Sequence, residues 1–297
     1  MRHGSVRSIR SRHALLRGLI GFVGVGAMVD ECRGTDRVWT PQNQNNRFWN
    51  SAANWNPTGV PVSGDNVYLA SSCDFDGTYN AGGGLNQVVI HDSDLSQDSS
   101  ISRMNTDREV ITGYLGGHFQ HAGQTSINVL LIDGNMPLEG FGPMAYGLGG
   151  GSLTTNAGLN YISVGSSANR YGYFGLHGTG TLLTSEFNVG YFGNGTFEQT
   201  GGSADFRGNT GGFRVGVQPG SGGAADISGG TTITDVIHVG GSAIGVGGTG
   251  ILNISGGRTT VTGTLKIHNT FGSKFTLSGG VLAPGAIDIS GNTNLFD

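Results

Sequence analysis

Several sets of residues in this chain have types and spacings that could do chemistry. The first is a row. Arg214, His238 and Lys266 each take the central position of a short block that recurs through the second half of the chain, in company with Ser163, Asn188 and Asp288. If the blocks stack at a strand spacing of about 4.8 Å, three bases follow one another as a stripe. Such a stripe suits an anionic ligand, for example a sulfated or uronic glycan. Exposed, it would bind more tightly below about pH 6.5, where an imidazole gains its proton. The plainer alternative is a solvated face.

The other sets are weaker. Asp74 with Asp76, and Asp92 with Asp94, pair carboxylates on one strand face or turn. Calcium takes six or more oxygens and neither set completes a calcium loop, so solvated carboxylates are the reading. His118 and His121 are three apart, which on a strand puts them on opposite faces and not on one metal. Gly245 to Gly250 spells GxGxxG, but Ile251-Leu-Asn-Ile254 follows as a strand where a dinucleotide site needs a helix N-terminus; a glycine turn is expected. Thr232-Ile-Thr234 and Thr260-Val-Thr262 resemble the Thr-x-Thr rows of ice-binding solenoids, over two coils only. Thr also simply favours strands. GxxxxGK[ST], HExxH and GxSxG are absent. No catalytic residue, cofactor or metal ligand follows from the sequence.

What must position these residues is a repeat. Phe197-Glu-Gln-Thr-Gly-Gly202 returns as Ala225-Asp-Ile-Ser-Gly-Gly230, Leu252-Asn-Ile-Ser-Gly-Gly257 and Phe275-Thr-Leu-Ser-Gly-Gly280. A second block alternates with it: Ile162-Ser-Val-Gly165, Phe187-Asn-Val-Gly190, Phe213-Arg-Val-Gly216, Ile237-His-Val-Gly240, then Leu265-Lys-Ile267 and Ile287-Asp-Ile289. Its centres run from position 163 to position 288 in five steps, a mean period of about 25 residues, which is the scale of stacked repeats. Both blocks alternate apolar and polar, the period of a strand with one buried face. A unit this short cannot bury its apolar face alone, but stacked on its neighbours it can. The expectation is an all-β, single-stranded parallel β-solenoid, with Phe187, Phe213, Ile237, Leu265 and Ile287 stacked inside.

Composition agrees. Gly makes up 57 of 297 residues, about 19% against a usual share of about 7%. It keeps no three-residue period, which excludes a collagen, and is too abundant for a helical bundle. Two Lys and an excess of acids, 20 against 16 bases, argue against a nucleic-acid partner.

At the N-terminus five Arg precede Leu19 to Val29, which carries no charge. A basic stretch before a short apolar core is the pattern of a secretory signal. Val25-Gly26-Ala27 offers a cleavage site, so the mature chain would start near Met28 with net charge −9 in place of −4. No later apolar stretch reaches the roughly 20 residues of a membrane span. Cys32 and Cys73 are the only cysteines. An oxidising compartment permits one disulfide between them, and the sequence leaves open whether they pair or remain thiols. The organisation expected is a signal at 1–27, a Trp-rich cap at 28–66, a solenoid of short repeated coils at 67–290 and a tail at 291–297.

The blocks "FEQTGGSADF" with "FRVG", "ADISGGTTIT" with "IHVG" and "LNISGGRTTV" with "LKIH" resemble the PEP-CTERM/autotransporter-associated β-helix repeat of exported bacterial proteins. The stretch from Trp39 to Leu69 resembles the segment that precedes the coils in planctomycete members. The resemblance spans roughly residues 38 to 290. It implies the solenoid fold and a place outside the cell or on its surface, and it says little about activity. The family's C-terminal sorting signal is not seen before Asp297, which implies a shortened relative or a released one. Trp39, Trp49 and Trp55 suit a cover for the solenoid end, with a sugar-binding platform as the other use of clustered indoles. The opposite end has no equivalent cover, which would allow end-to-end stacking. Two functions follow as expectations. One is a secreted structural or adhesive solenoid without catalytic activity, facing polysaccharide or surface matrix. The other is a carbohydrate-binding or polysaccharide-degrading β-helix protein.

Overall fold

A computed structural model describes residues 34–41, 47–75, 84–100, 102–135, 145–156, 160–208 and 211–290. The signal segment, Cys32, Asp76 and the tail lie outside the described residues. The described residues belong to one compact unit. Its helical content, among the described residues, is the single 3-10 turn Ala52–Asn54.

The chain winds as a three-faced coil. Face A carries strands such as Tyr161–Val164, Glu186–Val189, Gly212–Val215 and Ile237–Val239. Face B carries Ala145–Leu148, Tyr171–Leu176, Asn194–Gln199, Gly222–Ile227, Thr249–Ile254 and Lys274–Leu277. Face C carries Ser152–Thr155, Thr181–Leu183, Ser203–Phe206 and Thr231–Thr234. Each strand pairs in parallel with the strand of the same face one coil later, for example Phe187 with Phe213 and Phe213 with Ile237. That pairing excludes an antiparallel sandwich and establishes the β-solenoid.

The face A register runs Tyr68, Val89, Val110, Leu131, Ser163, Asn188, Arg214, His238, Lys266, Asp288. After Ser163 the steps scatter around the period read from the blocks. From Tyr68 to Leu131 they are equal to one another and shorter. There Arg103–Gln120 runs through all three faces as one continuous strand, bending at Gly113 and Gly116, whose φ values are 110° and 94°. The first rung, Asp36–Trp39, pairs in parallel with Asn66–Leu69. The Trp-rich segment therefore supplies a coil as well as a cover.

Alternation decides which side chains enter. Phe187, Phe213, Ile237 and Leu265 are fully buried in one inward ladder, with Val189, Val215, Val239 and Ile267 beside them. Burying each such side chain is worth roughly 1.5–3 kcal/mol. Ile287, expected to join them, is 45% exposed. Val281–Asp288 is the last described rung and has a neighbour on one side only. The other apolar layers meet this one: Phe187 lies 5.0 Å from Phe206 with rings nearly parallel, and 5.0 Å from Phe197 edge to face.

The repeated blocks also explain the corners. Gly229, first of its pair, passes so close to the previous coil that a Cβ would sit 2.3 Å from the Thr200 carbonyl oxygen; Gly230 follows with φ of 74°. Only glycine meets both demands without strain. Inside the same corner lies a buried Gln. Gln199 Nε2 donates to the Thr231 carbonyl at 3.1 Å, and its Oε1 accepts from Thr232 Oγ1 at 2.5 Å. Gln120 plays the same part earlier in the face B ladder, donating to the Gly123 and Ser152 carbonyls.

At the N-terminal end Trp39, Trp49 and Trp55 are buried and packed edge to face, with centroids 4.9 and 4.8 Å apart about Trp55. Trp49 continues onto Phe75 at 5.0 Å. The indoles cover the core, so they form no platform for sugar rings.

Candidate functional site

Coil stacking brings Arg214, His238 and Lys266 onto successive rungs of face A, as the repeat predicts. It does not present them as an open basic stripe. Arg214 Nη1 donates to Glu186 Oε1 at 2.9 Å, and Asn188 Nδ2 donates to the same oxygen at 2.8 Å. Gly211 makes room for that carboxylate, since a Cβ there would lie 2.7 Å from it. Lys266 Nζ pairs with Asp288 at 2.9 Å, which holds the Asp288 carboxyl below its ordinary value. Arg214 and Lys266 are thus each neutralised by an acid of a neighbouring rung. His238 is buried, against the expectation of an exposed imidazole.

His238 Nδ1 lies 3.1 Å from Nε2 of His268, with ring centroids 5.3 Å apart and planes at 30°. Burial first, then His268, Arg214 and Lys266, push the His238 imidazole down to about 4. His268 is lowered too, by burial and Lys266, with Asp288 opposing. The expected gain of charge below about pH 6.5 is therefore corrected: His238 stays neutral until the medium is far more acidic.

Over this pair sits an insertion. Gly241–Ser242 and Gly245–Val246 form a two-stranded antiparallel sheet apart from the solenoid ladder. A small gap of about 120 Å³ lies beneath it, lined by Tyr191, Arg214, Val217, Gln218 and Ser242 to Ile244. The GxGxxG stretch serves this hairpin and then enters strand Thr249–Ile254, so the glycine-turn reading holds.

The Thr rows are corrected. Thr232 and Thr234 point inward and are fully buried. The register pairs Thr232 with Thr259 and Ile233 with Thr260, so the two Thr-x-Thr stretches are one residue out of step. A one-residue slip exchanges the faces.

His118 and His121 do lie on opposite faces. His121 is exposed, while His118 is completely buried and its Nδ1 is 2.8 Å from Oε1 of an equally buried Glu109. Glu109 occupies the inward ladder position held by Val88 before it and Leu130 after it. His118 stands between Leu95 and Tyr146 in the face B ladder. This pair was not among the residues expected from the sequence. Its signal was an acid at an inward position within an otherwise apolar alternation.

A wider groove, about 380 Å³, opens on the outer side of face B between Arg47, Asp74, Asp94, Ser96, Phe119 and His121. Arg47 Nη2 pairs with Asp74 Oδ1 at 3.1 Å. The Phe119 ring lies over Gly147, where a Cβ would come within 3.1 Å of it. Among the described residues no group of three or more His, Cys, Asp or Glu is placed to hold a metal ion. Cys73 is buried in its short strand, and its proposed partner Cys32 lies outside the described residues.

Comparison with protein-family models, with curated proteins and with solved structures gives no match.

Proposed function

We propose that the chain is exported and acts outside the cell, or on its surface, as a structural or adhesive β-solenoid without catalytic activity. The observation that carries this reading is how the outward polar residues are used. They bond along the stack: Arg214 to Glu186, Lys266 to Asp288, Asn253 to Asp226 at 2.7 Å, and Asn156 to Asn128 to Asp107 at 2.6 and 3.0 Å. Side chains spent on neighbouring rungs stiffen a scaffold. The basic, then apolar N-terminus and the resemblance to exported β-helix repeats support the location. The test is production of the full chain in a bacterial host, with fractionation and N-terminal sequencing. Exported material beginning near Met28 is expected. An intact Met1 in a soluble cytoplasmic pool contradicts the proposal.

The face B groove favours a second reading, glycan binding. Its volume is within the range of ligand sites, and it sets a flat aromatic ring beside carboxylates and an imidazole. With acids exceeding the single Arg, the sugar would be neutral or amino-substituted and not sulfated. A glycan array on the wild type and on Phe119→Ala decides it. Binding lost in Phe119→Ala supports the groove. Binding of sulfated glycans lost only in Arg214→Ala/Lys266→Ala returns the site to the face A row.

A further inference from the structure

We infer that the His238–His268 pair is an acid-operated latch that holds the hairpin Gly241–Val246 down on the solenoid and releases it when both imidazoles are protonated. Four observations on the molecule carry this. The hairpin is bonded to itself through Gly241 with Val246 and Ser242 with Gly245, and it adds no rung to the parallel ladder. It occupies the longest of the later coils, the one between row positions His238 and Lys266. Its base rests on the latch: a Cβ at Gly241 would stand 2.8 Å from two carbons of the His268 ring. Beneath it lies the gap of about 120 Å³ walled by Tyr191, Arg214 and Gln218, while Ile244 at its tip is 91% exposed.

The latch works through one hydrogen between two ring nitrogens. At 3.1 Å, His238 Nδ1 and His268 Nε2 share a hydrogen bond in which one donates and the other accepts. A first added proton can sit on a ring nitrogen outside that contact and leave the bond intact. A second puts N–H groups on both facing nitrogens, so the bond is lost and two cations oppose each other. The groups facing the pair from the packed elements are Arg214 and Glu186 from the two rungs before His238, Lys266 from the rung after it, which leads into His268, and Asp288 from the next. Tyr191 borders the gap, and the hairpin itself contributes no titratable group. Arg214 and Lys266 already hold their acids, which leaves no spare carboxylate for the new charges. Burial and these cations delay protonation, so the latch stays shut at neutral pH.

The test is hydrogen–deuterium exchange of the full chain between pH 7 and pH 3.5, with each rate divided by its intrinsic value. The expected result is at least a tenfold rise in the segment 241–247, with face B strands Gly222–Ile227 and Thr249–Ile254 unchanged. In His238→Asn/His268→Gln, whose amides keep a donor–acceptor contact but do not titrate, the rise should vanish. Imidazole titration followed by NMR in the wild type gives a second measure that needs no variant, and hairpin opening should track the second proton. A flat wild-type profile, a rise that persists in the double variant, or opening before the imidazoles charge would each overturn the inference.

Discussion

Glu109 and His118 put a carboxylate and an imidazole where the neighbouring coils carry apolar side chains or a tyrosine ring. Both are fully buried, and Oε2 of one and Nε2 of the other lack a partner among the described residues. Removing one member of such a pair strands the other, at about 3–5 kcal/mol, whereas replacing both with apolar groups is often neutral or stabilising. Glu109→Leu should lower the urea midpoint sharply, and Glu109→Leu/His118→Leu should recover it. A double variant as weak as the single one would show that the pair does more than satisfy itself. His238 gives a pH prediction at the same scale. Its folded value, about 4, is below the unfolded value near 6.5, so the unfolded chain binds the proton first. This group's contribution is full above about pH 6.5, falls as pH drops toward 4, and changes no further below that. Urea midpoints at pH 7 and 4.5 should separate more in the wild type than in His238→Asn/His268→Gln.

At the scale of the element, the corner after Gln199 is closed by three devices: an alternating strand, an inward Gln and a glycine pair. Gln199→Leu keeps the volume and removes both bonds, leaving the Thr232 hydroxyl buried without its partner. A loss of about 1–3 kcal/mol is expected on thermal unfolding. Gly230→Ala adds the strain of a positive φ, about 1–2 kcal/mol, and further cost from a Cβ 2.5 Å from the Gly201 and Gly202 carbonyl oxygens. Near-wild-type melting in both would contradict this view of the corner. The strands and glycines were legible because alternation and turn chemistry are local, and they recur. The basic row was legible as a register, since the recurring block marks its equivalent positions even where the steps between them differ. Its chemistry was not. Glu186 precedes Asn188 by two residues yet reaches across to Arg214 on the next rung, and His268 lies 30 residues from His238. Partners of that kind depend on side-chain reach across coils, which spacing along the chain does not encode. The Thr rows failed for a related reason: the register between the two coils differs by one position, which leaves Thr232 and Thr234 on the inner face and sets Thr260 opposite Ile233.

For the whole molecule, stability is a sum over neighbouring coils, because each coil touches only the next. A disruption in the middle should therefore break the stack, while the same change at the last described rung should be tolerated. Phe213 and Ile287 belong to the same inward ladder, the first fully buried between two rungs and the second half exposed on one. The most direct test of the stacked-coil account is thermal unfolding of Phe213→Asp beside Ile287→Asp. A carboxylate forced into the packed ladder costs several kcal/mol, so Phe213→Asp should lose its cooperative transition or melt far below the wild type. Ile287→Asp should melt within a few degrees of it. Equal, small effects in both variants would contradict the inward ladder on which the account of this solenoid rests.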